Sequence, residues 1–295
     1  MHIETLRVFC DVVDTGSFSA AASQNYITQS AVSQQLRALE SRYQCTLLER
    51  SRHGAKPTAA GEILYRVSRE ILEKYREIET QLQESGKVVA GSLRAAIVYS
   101  VGLHELPPYL KEYMRTYPQV NVHVEYSRPN KIYDSVIAGQ IDLGIVAYPH
   151  KHPQIQSVPW REDRMVLACP PDHPFASLKK VNIGRLNNES FVGFEQDIPT
   201  RKATDQLLRD NQVNVRYVGE FDNIETIKRA VEIGQGIAIL PIAAIRLELE
   251  HGTIKAVQLA EVTLARPVAI IHKKSRHLSP AAVKFIEMLQ REDLR

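Results

Sequence analysis

Two patterns of hydrophobic and polar residues divide the chain. Through the first 85 or so residues, apolar side chains recur three and four positions apart, which predicts helices. From Gly86 onwards, short β-branched runs alternate with amphipathic segments, which predicts an α/β fold with largely parallel strands and crossover helices. The predicted strands are 93–99, 120–126, 142–147, 165–169, 191–194, 215–221, 237–240 and 268–272.

The change of pattern also predicts the domains. Gly86 and Gly91 mark a boundary within 85–91. We expect a head of short helices and a hairpin over residues 1–58, one long helix over 59–87, and the α/β module over 88–295.

A helix-turn-helix is predicted inside the head. Gly16 and Ser17 end one helix and begin a short second one, and Thr28 caps a longer third helix. Projecting that third helix at about 100° per residue separates two faces. The packing face is Val32, Leu36, Leu39 and Tyr43, and the outward face is Gln29, Ser30, Ser33, Gln34 and Arg37. Amide, hydroxyl and guanidinium groups of this kind bind base edges and phosphates in a major groove, although a solvated polar face has the same composition.

Positive charge is concentrated just after this helix. Within residues 28–58 there are five basic and two acidic side chains, a surplus of three positive charges. The basic residues are Arg37, Arg42, Arg50, Arg52 and Lys56. Because the segment around Gly54 is typical of a hairpin, we expect a wing whose cations contact DNA phosphates; an ordinary charged hairpin is the alternative.

The long helix carries an apolar stripe. Its members lie three or four residues apart and are Leu64, Val67, Ile71, Tyr75, Ile78 and Leu82. With charged residues on both sides, the stripe is typical of a two-helix dimer seam, although it could instead pack on its own domain. A dimer would place two recognition helices on one double-stranded DNA site of roughly two-fold symmetry.

Composition excludes several classes of protein. The 295 residues are 44% hydrophobic and 24% charged, which is ordinary for a soluble globular chain. Cys10, Cys45 and Cys169 show no metal or disulfide spacing, and the net charge of +3 selects no partner. Neither a signal peptide nor an apolar stretch long enough to cross a membrane is recognisable, so we expect a cytoplasmic protein with no membrane partner.

The motifs of the head resemble those of the LysR-type transcriptional regulators. They are Phe9, Gly16-Ser17-Phe18, Ala21-Ala22, Thr28-Gln29-Ser30-Ala31-Val32-Ser33, Leu36, Leu39-Glu40, Leu47-Leu48-Glu49-Arg50 and Pro57-Thr58 with Ala60-Gly61. Ser30 stands where many family members have proline. The resemblance implies a winged helix-turn-helix in which Gln29, Ser33, Gln34 and Arg37 contact DNA, with Arg50 and Arg52 at the wing. It also implies a homodimer or homotetramer that works with RNA polymerase.

For the α/β module the resemblance implies a two-lobed effector domain like that of periplasmic binding proteins. Lobe one would be 88–160 with 268–295, and lobe two 161–267, with crossings near Trp160 and Arg266-Pro267. Effectors of such folds bind at the carboxyl ends of strands and at helix N-termini. Segments 99–102, 147–149, 198–201 and 221–224 meet that description, and the expected effector residues are Ser100, Val101, Ala147, Thr200, Arg201 and Asn223. Their hydroxyls, amides and cation favour a small anion, a carboxylate or an inorganic oxyanion, although helix capping alone would also explain several of them.

Competing functions lack their motifs. A nucleophile-elbow GxSxG, a P-loop and a strand-borne GxGxxG are all missing from the sequence, so we expect neither an enzyme nor a bound cofactor. A solute-binding protein would have no use for residues 1–85. His150-Lys151-His152 has too few nearby ligands to complete a metal site.

Overall fold

The chain forms two compact units, Met1–Lys87 and Val88–Arg295. The computed structural model describes residues 2–51, 54–84, 89–262, 264–275, 277–291 and 293. Each unit has its own hydrophobic core, because the buried clusters of the first unit and those of the second share no residues.

The described residues of the first unit form four helices and an antiparallel hairpin. The elements are α1 (Ile3–Thr15), α2 (Phe18–Gln24), α3 (Gln29–Tyr43), β1 (Leu48–Ser51), β2 (Gly54–Pro57) and α4 (Ala59–Glu84). The side-chain oxygens of Ser17 and Thr28 accept hydrogen bonds from backbone N–H groups in the first turns of α2 and α3, and Thr58 does the same for α4. The predicted helix-turn-helix is therefore confirmed, together with its caps.

The packing face of α3 is confirmed except at its end. Val32, Leu36 and Leu39 are buried with Phe9 and other side chains of α1 and α2. Tyr43, predicted on the same face, is instead 45% exposed. It is the last residue of the helix, directly before the left-handed Gln44, and so lies past the packed turns.

The second unit contains ten strands and seven α-helices among its described residues. The strands are β3 (Gly91–Ile97), β4 (Val120–Tyr126), β5 (Leu143–Ala147), β6 (Ile155–Cys169), β7 (Lys180–Asn182), β8 (Ser190–Phe194), β9 (Arg216–Phe221), β10 (Ala238–Pro241), β11 (Lys255–Ala260) and β12 (Ala265–Lys273). The helices are α5 (Tyr99–His104), α6 (Pro107–Thr116), α7 (Pro129–Ile137), α8 (Pro199–Asp210), α9 (Ile224–Glu232), α10 (Arg246–His251) and α11 (Pro280–Leu289). Short 3-10 helices cover Ile183–Leu186 and Ile242–Ile245.

Separate cores divide this unit into two lobes. The buried core residues of lobe one lie between 93 and 160 and between 268 and 289. Those of lobe two lie between 165 and 257. The main sheet has the strand order β4-β3-β5-β12-β6-β11-β7, with β10 also on β6, while β8 and β9 pair separately in lobe two.

Two long antiparallel strands connect the lobes, a feature that the sequence pattern did not predict. β12 pairs with β6 from Ala265 opposite Arg164 to Lys273 opposite Ile155, with an irregularity after Val268. Beyond that stretch, β6 pairs with β10 and β11 of lobe two. The predicted largely parallel sheet is correct for β3, β4 and β5 but wrong here, because the chain must return from lobe two to lobe one.

Candidate functional site

The outward face of α3 is accessible. Gln29, Ser30, Gln34 and Arg37 are exposed and Ser33 is half-buried. The projection of the sequence therefore separated the two faces of this helix correctly. The Ser30 hydroxyl lies 2.8 Å from the Thr28 hydroxyl, so a local hydrogen bond holds the first turn of the helix.

The hairpin formed by β1 and β2 carries an exposed basic side chain. Lys56 is exposed on β2 and stands opposite Glu49 in the strand pairing. Arg50 is a residue of β1, but its side chain lies outside the described residues, as does the whole of Arg52. The phosphate contacts expected from those two arginines remain predictions.

The apolar stripe of α4 is only partly used by its own unit. Leu64 packs against the core of the first unit. Val67, Ile71, Tyr75 and Ile78 are exposed, with Ile78 at 55%, and the Leu82 side chain lies outside the described residues. Exposure of four large apolar side chains along one helix favours a partner over packing on the same domain.

A cleft that is open to solvent lies between the lobes of the second unit. Three helices of nine or more residues begin at it: α7 from lobe one, and α8 and α9 from lobe two. The first backbone N–H groups of a helix have no partner within the helix and carry partial positive charge. The cleft is therefore favourable for an anion before any charged side chain is considered.

Four of the predicted effector residues line this cleft. Ser100 and Ala147 come from lobe one, and Thr200 and Asn223 from lobe two. Asn223 also caps α9, since its side-chain oxygen accepts from the backbone N–H of Thr226. Asn223 is therefore both a helix cap and a cleft residue.

Val101 and Arg201, the other two predicted effector residues, do not line the cleft. Val101 is fully buried in the core of lobe one. Each follows a cleft residue on a helix, and one residue along a helix turns the side chain by about 100°. Neither side chain faces the cleft for that reason, and a role for either residue in effector binding stays a prediction.

The Arg201 guanidinium is instead bound inside lobe two. Its Nε lies 2.9 Å from Asp205 Oδ2, and its Nη1 donates to the carbonyl of Phe194 at 2.7 Å and to Glu220 at 2.9 Å. The guanidinium carbon also lies 3.5 Å from the centre of the Tyr217 ring. Arg201 therefore holds α8 against β8 and β9.

Two cleft arginines were missed by sequence reasoning. The first, Arg128, precedes α7 in lobe one and faces three carboxylates of lobe two. Its Nη2 lies 2.5 Å from Glu195 and 3.5 Å from Asp222, and its Nη1 lies 3.7 Å from Asp197. The signal in the sequence was Pro129, which is typical of a first helical residue and so marked Arg128 as adjacent to a helix N-terminus.

The second is Arg266, which the sequence marked only as a crossing point. It is 3% exposed on β12, and its Nη1 donates to Asp163 on β6 at 2.8 Å. Its Nη2 donates to the Ser100 hydroxyl at 2.5 Å. Burial lowers the pKa of Arg266, and the Asp163 carboxylate opposes that shift.

A further ion pair extends this buried cluster. Arg161 bridges Asp163, at 3.1 Å, and Glu105, at 2.5 Å. Burial raises the pKa of the Glu105 carboxyl, against the lowering effect of Arg161. Two cations and two carboxylates thus neutralise one another behind Ser100.

The described residues hold no group of three or more His, Cys, Asp or Glu side chains that could bind a metal ion. His150 stacks on the Tyr133 ring, with ring centres 3.9 Å apart. In the same part of the chain, no helix has the length and apolar character needed to cross a membrane.

The chain is similar to known proteins over nearly its whole length. Residues 3–62 match the family model described as bacterial regulatory helix-turn-helix protein, lysR family, and residues 86–293 match the LysR substrate binding domain. A probable RuBisCO transcriptional regulator of Cyanidioschyzon merolae is 32% identical, with 97% of each chain covered. The HTH-type transcriptional regulator CysL of Bacillus subtilis is 28% identical, with 98% of this chain and 97% of that protein covered.

Solved structures show the same fold. Full-length CbnR in complex with its target DNA has a TM-score of 0.69 at 20% identity, covering 99% of each chain. The regulatory domain of CcmR from Synechocystis PCC6803, in complex with 2-PG, has a TM-score of 0.63 at 26% identity. That comparison covers 68% of this chain and 96% of the other.

Proposed function

The chain belongs to the LysR family of DNA-binding transcriptional regulators, and we propose that a small anion bound between the lobes of its effector-binding domain controls how it engages DNA. Family and relatives alike are regulators rather than enzymes.

One observation carries the proposal. Hydroxyl side chains from both lobes, Ser100 and Thr200, line the same cleft at which α7, α8 and α9 begin. Hydroxyls and free backbone N–H groups donate to an anion without adding a surplus of fixed positive charge. Because the donors come from two lobes joined by two strands, a ligand that bridges them favours one arrangement of the lobes over others.

The comparison with CcmR supports a metabolite-sized ligand. The regulatory domain of that protein was solved with 2-PG, and it shares 26% identity with this chain. The relatives named as RuBisCO regulators do not fix the ligand, since CysL of Bacillus subtilis is also a full-length relative. We therefore propose the ligand's class, a small carboxylate or oxyanion, and not its identity.

On the DNA side, we propose that α3 lies in the major groove and reads base edges with Gln29, Ser33 and Gln34. The accessible amides and the accessible guanidinium of Arg37 support this placement. The exposed apolar residues of α4 support a homodimer that presents two such helices to one DNA site. A tetramer, an interaction with RNA polymerase and a cytoplasmic location stay predictions.

The proposal is tested with the Thr200→Val variant and Thr116→Val, a matched control on α6. Thermal unfolding of the full chain is followed with 2-PG, phosphate or sulfate at constant ionic strength. A probe at 100 times its Kd should stabilise the wild type and the Thr116→Val variant by about 2.7 kcal/mol, and the Thr200→Val variant far less. Equal stabilisation of all three proteins would place the ligand outside this cleft.

A further inference from the structure

Arg266, which lines the cleft, has a buried hydrogen-bond donor without an acceptor. Its Nη1 and Nη2 donate to Asp163 and Ser100, but its buried Nε–H has no acceptor among the described residues. The side chain is 3% exposed, and the residue lines the cleft. A buried donor without a partner is unfavourable, and the unfavourable contribution disappears when a ligand atom accepts the bond.

The neighbouring hydroxyl offers a second donor. A serine hydroxyl can accept two hydrogen bonds and donate one. Ser100 accepts from Nη2 of Arg266, and its own proton is therefore free to be directed elsewhere. Since the guanidinium is a rigid planar fork, its Nε–H and the N–H that binds Ser100 are held in a fixed relation. Arg266 and Ser100 together present two donors, Nε–H and O–H, to one compact acceptor group.

The charges at the two ends of the cleft limit which groups the rest of the ligand can carry. At the inner end, Arg266 and Arg161 are balanced by Asp163 and Glu105. At the mouth, Arg128 faces Glu195, Asp197 and Asp222, so one positive and three negative charges leave a surplus of two negative charges. An anion at the inner end meets donors, whereas a second anionic group at the mouth meets repulsion.

We infer that Arg266 and Ser100 recognise a single oxyanion head, a carboxylate, sulfate or phosphate group, on a ligand whose other end is uncharged or cationic. The inference rests on the proposed function, because it assumes that the effector binds in this cleft. Beyond the proposed function, the inference names Arg266 as the residue that selects the ligand and specifies that only one end of the ligand is anionic. A molecule with anionic groups at both ends should bind more weakly, because its second anion meets the acidic mouth. Of the probes named above, 2-PG carries both a phosphate and a carboxylate and should therefore bind less tightly than sulfate or phosphate.

The substitution that tests this is Arg266→Lys, which keeps the charge but removes the Nε–H and the fork. Affinities of the full chain for sulfate, phosphate and citrate are measured by calorimetry at constant ionic strength, with Arg209→Lys on the exposed face of α8 as the matched control. Sulfate and phosphate should bind the wild type and the control equally, and the Arg266→Lys variant at least tenfold more weakly. Citrate, with several carboxylates, should bind the wild type more weakly than sulfate does.

A second measurement follows ligand binding on the wild-type protein itself. In the wild type labelled with 15N-arginine, the Nε–H signal of Arg266, identified by its loss in the Arg266→Lys variant, should move as sulfate or phosphate is added. Ser100→Ala should also weaken sulfate binding, and its effect should not add to that of Arg266→Lys.

The outcomes separate the two proposals. Binding of sulfate that depends on Thr200, with an unmoved Arg266 signal and an unchanged affinity in Arg266→Lys, would overturn the role of Arg266 and leave the proposed function standing. Tighter binding of citrate than of sulfate would overturn the single-head ligand. Failure of every oxyanion to bind the wild type would overturn the proposed function and this inference with it.

Discussion

Arg128 and Glu195, 67 residues apart in the chain, join the two lobes across the mouth of the cleft, with Nη2 2.5 Å from Oε2. Arg128 belongs to lobe one, and Glu195 and its neighbours Asp197 and Asp222 belong to lobe two. A second contact between the lobes joins His104 of α5 to Glu225 of α9, with Nε2 2.7 Å from Oε1. The relative position of the lobes therefore depends on these side-chain contacts as well as on the strands β6 and β12.

Removing the contact between Arg128 and Glu195 should let the cleft open. In the Arg128→Gln variant the three carboxylates repel one another without a cation between them, so hydrogen exchange at residues 195–201 should be severalfold faster than in the wild type. Mass spectrometry of exchange checks this, with Arg209→Gln as the control. Unchanged exchange in the Arg128→Gln variant would show that β6, β12 and the contact between His104 and Glu225 hold the lobes without Arg128.

The buried pair of Arg266 and Asp163 should matter far more for stability. Both side chains are almost fully buried, at 3% and 2% exposure. Asp163→Asn leaves the Arg266 charge buried without its main partner, and breaking a buried pair in this way costs about 3–5 kcal/mol. Urea unfolding of the effector-binding domain within the full chain measures the loss. A loss below about 1 kcal/mol would mean that Arg161 and Glu105 rearrange to compensate.

Substitutions on α3 and on the hairpin should distinguish a residue that reads bases from a residue that binds phosphates. Gln29→Ala should lose about 1–3 kcal/mol on the cognate site and little on random DNA. Lys56→Ala, on the hairpin, should weaken binding to all sequences. It should also lower the slope of log affinity against log salt concentration by about 1, because one phosphate contact is lost. Fluorescence anisotropy over a range of salt concentrations distinguishes the two. If Gln29→Ala loses the same affinity on both DNAs, Gln29 contacts the DNA backbone and not a base.

Cys169 should be chemically inert in the folded protein. Burial on β6 raises the pKa of its thiol to about 11, so at pH 8 only about one molecule in a thousand carries the reactive thiolate. A thiol reagent at pH 8 should therefore label Cys45, which is half-buried, well before Cys169. Rapid labelling of Cys169 in the native protein, read by peptide mass spectrometry, would contradict this and would reopen thiol chemistry as a signal.

How far the sequence predicted the structure depends on the kind of information required. The DNA-binding head was predictable because its helices have strong periodicity and side-chain caps, as at Ser17 and Thr28. Even there Tyr43 was misplaced, since periodicity does not show where packing ends. In the effector-binding domain the strands with apolar runs were found, whereas β7, β11 and the first part of β6 were missed because polar residues interrupt them.

Fewer of the cleft residues than of the residues in the DNA-binding head could be predicted, because a cleft is formed by residues distant in the sequence. Ser100 and Thr200 could be chosen because each lies where a strand or loop meets a helix. Arg201 was chosen for its charge, but its direction depends on its place in the helical turn. Arg128 and Arg266 acquire their roles only from carboxylates 67 or more residues away, which no local pattern reveals.

The most direct test of the account is the DNA affinity of the full chain with and without a cleft ligand. The duplex is one that the protein itself selects from a random pool, and the ligands are 2-PG, phosphate and sulfate at constant ionic strength. If a cleft ligand controls DNA binding, at least one of them changes the affinity of the wild type by about 5- to 150-fold, and Thr200→Val abolishes the change. A ligand that binds the cleft, loses its binding in Thr200→Val and leaves both the affinity and the footprint on DNA unaltered would contradict it.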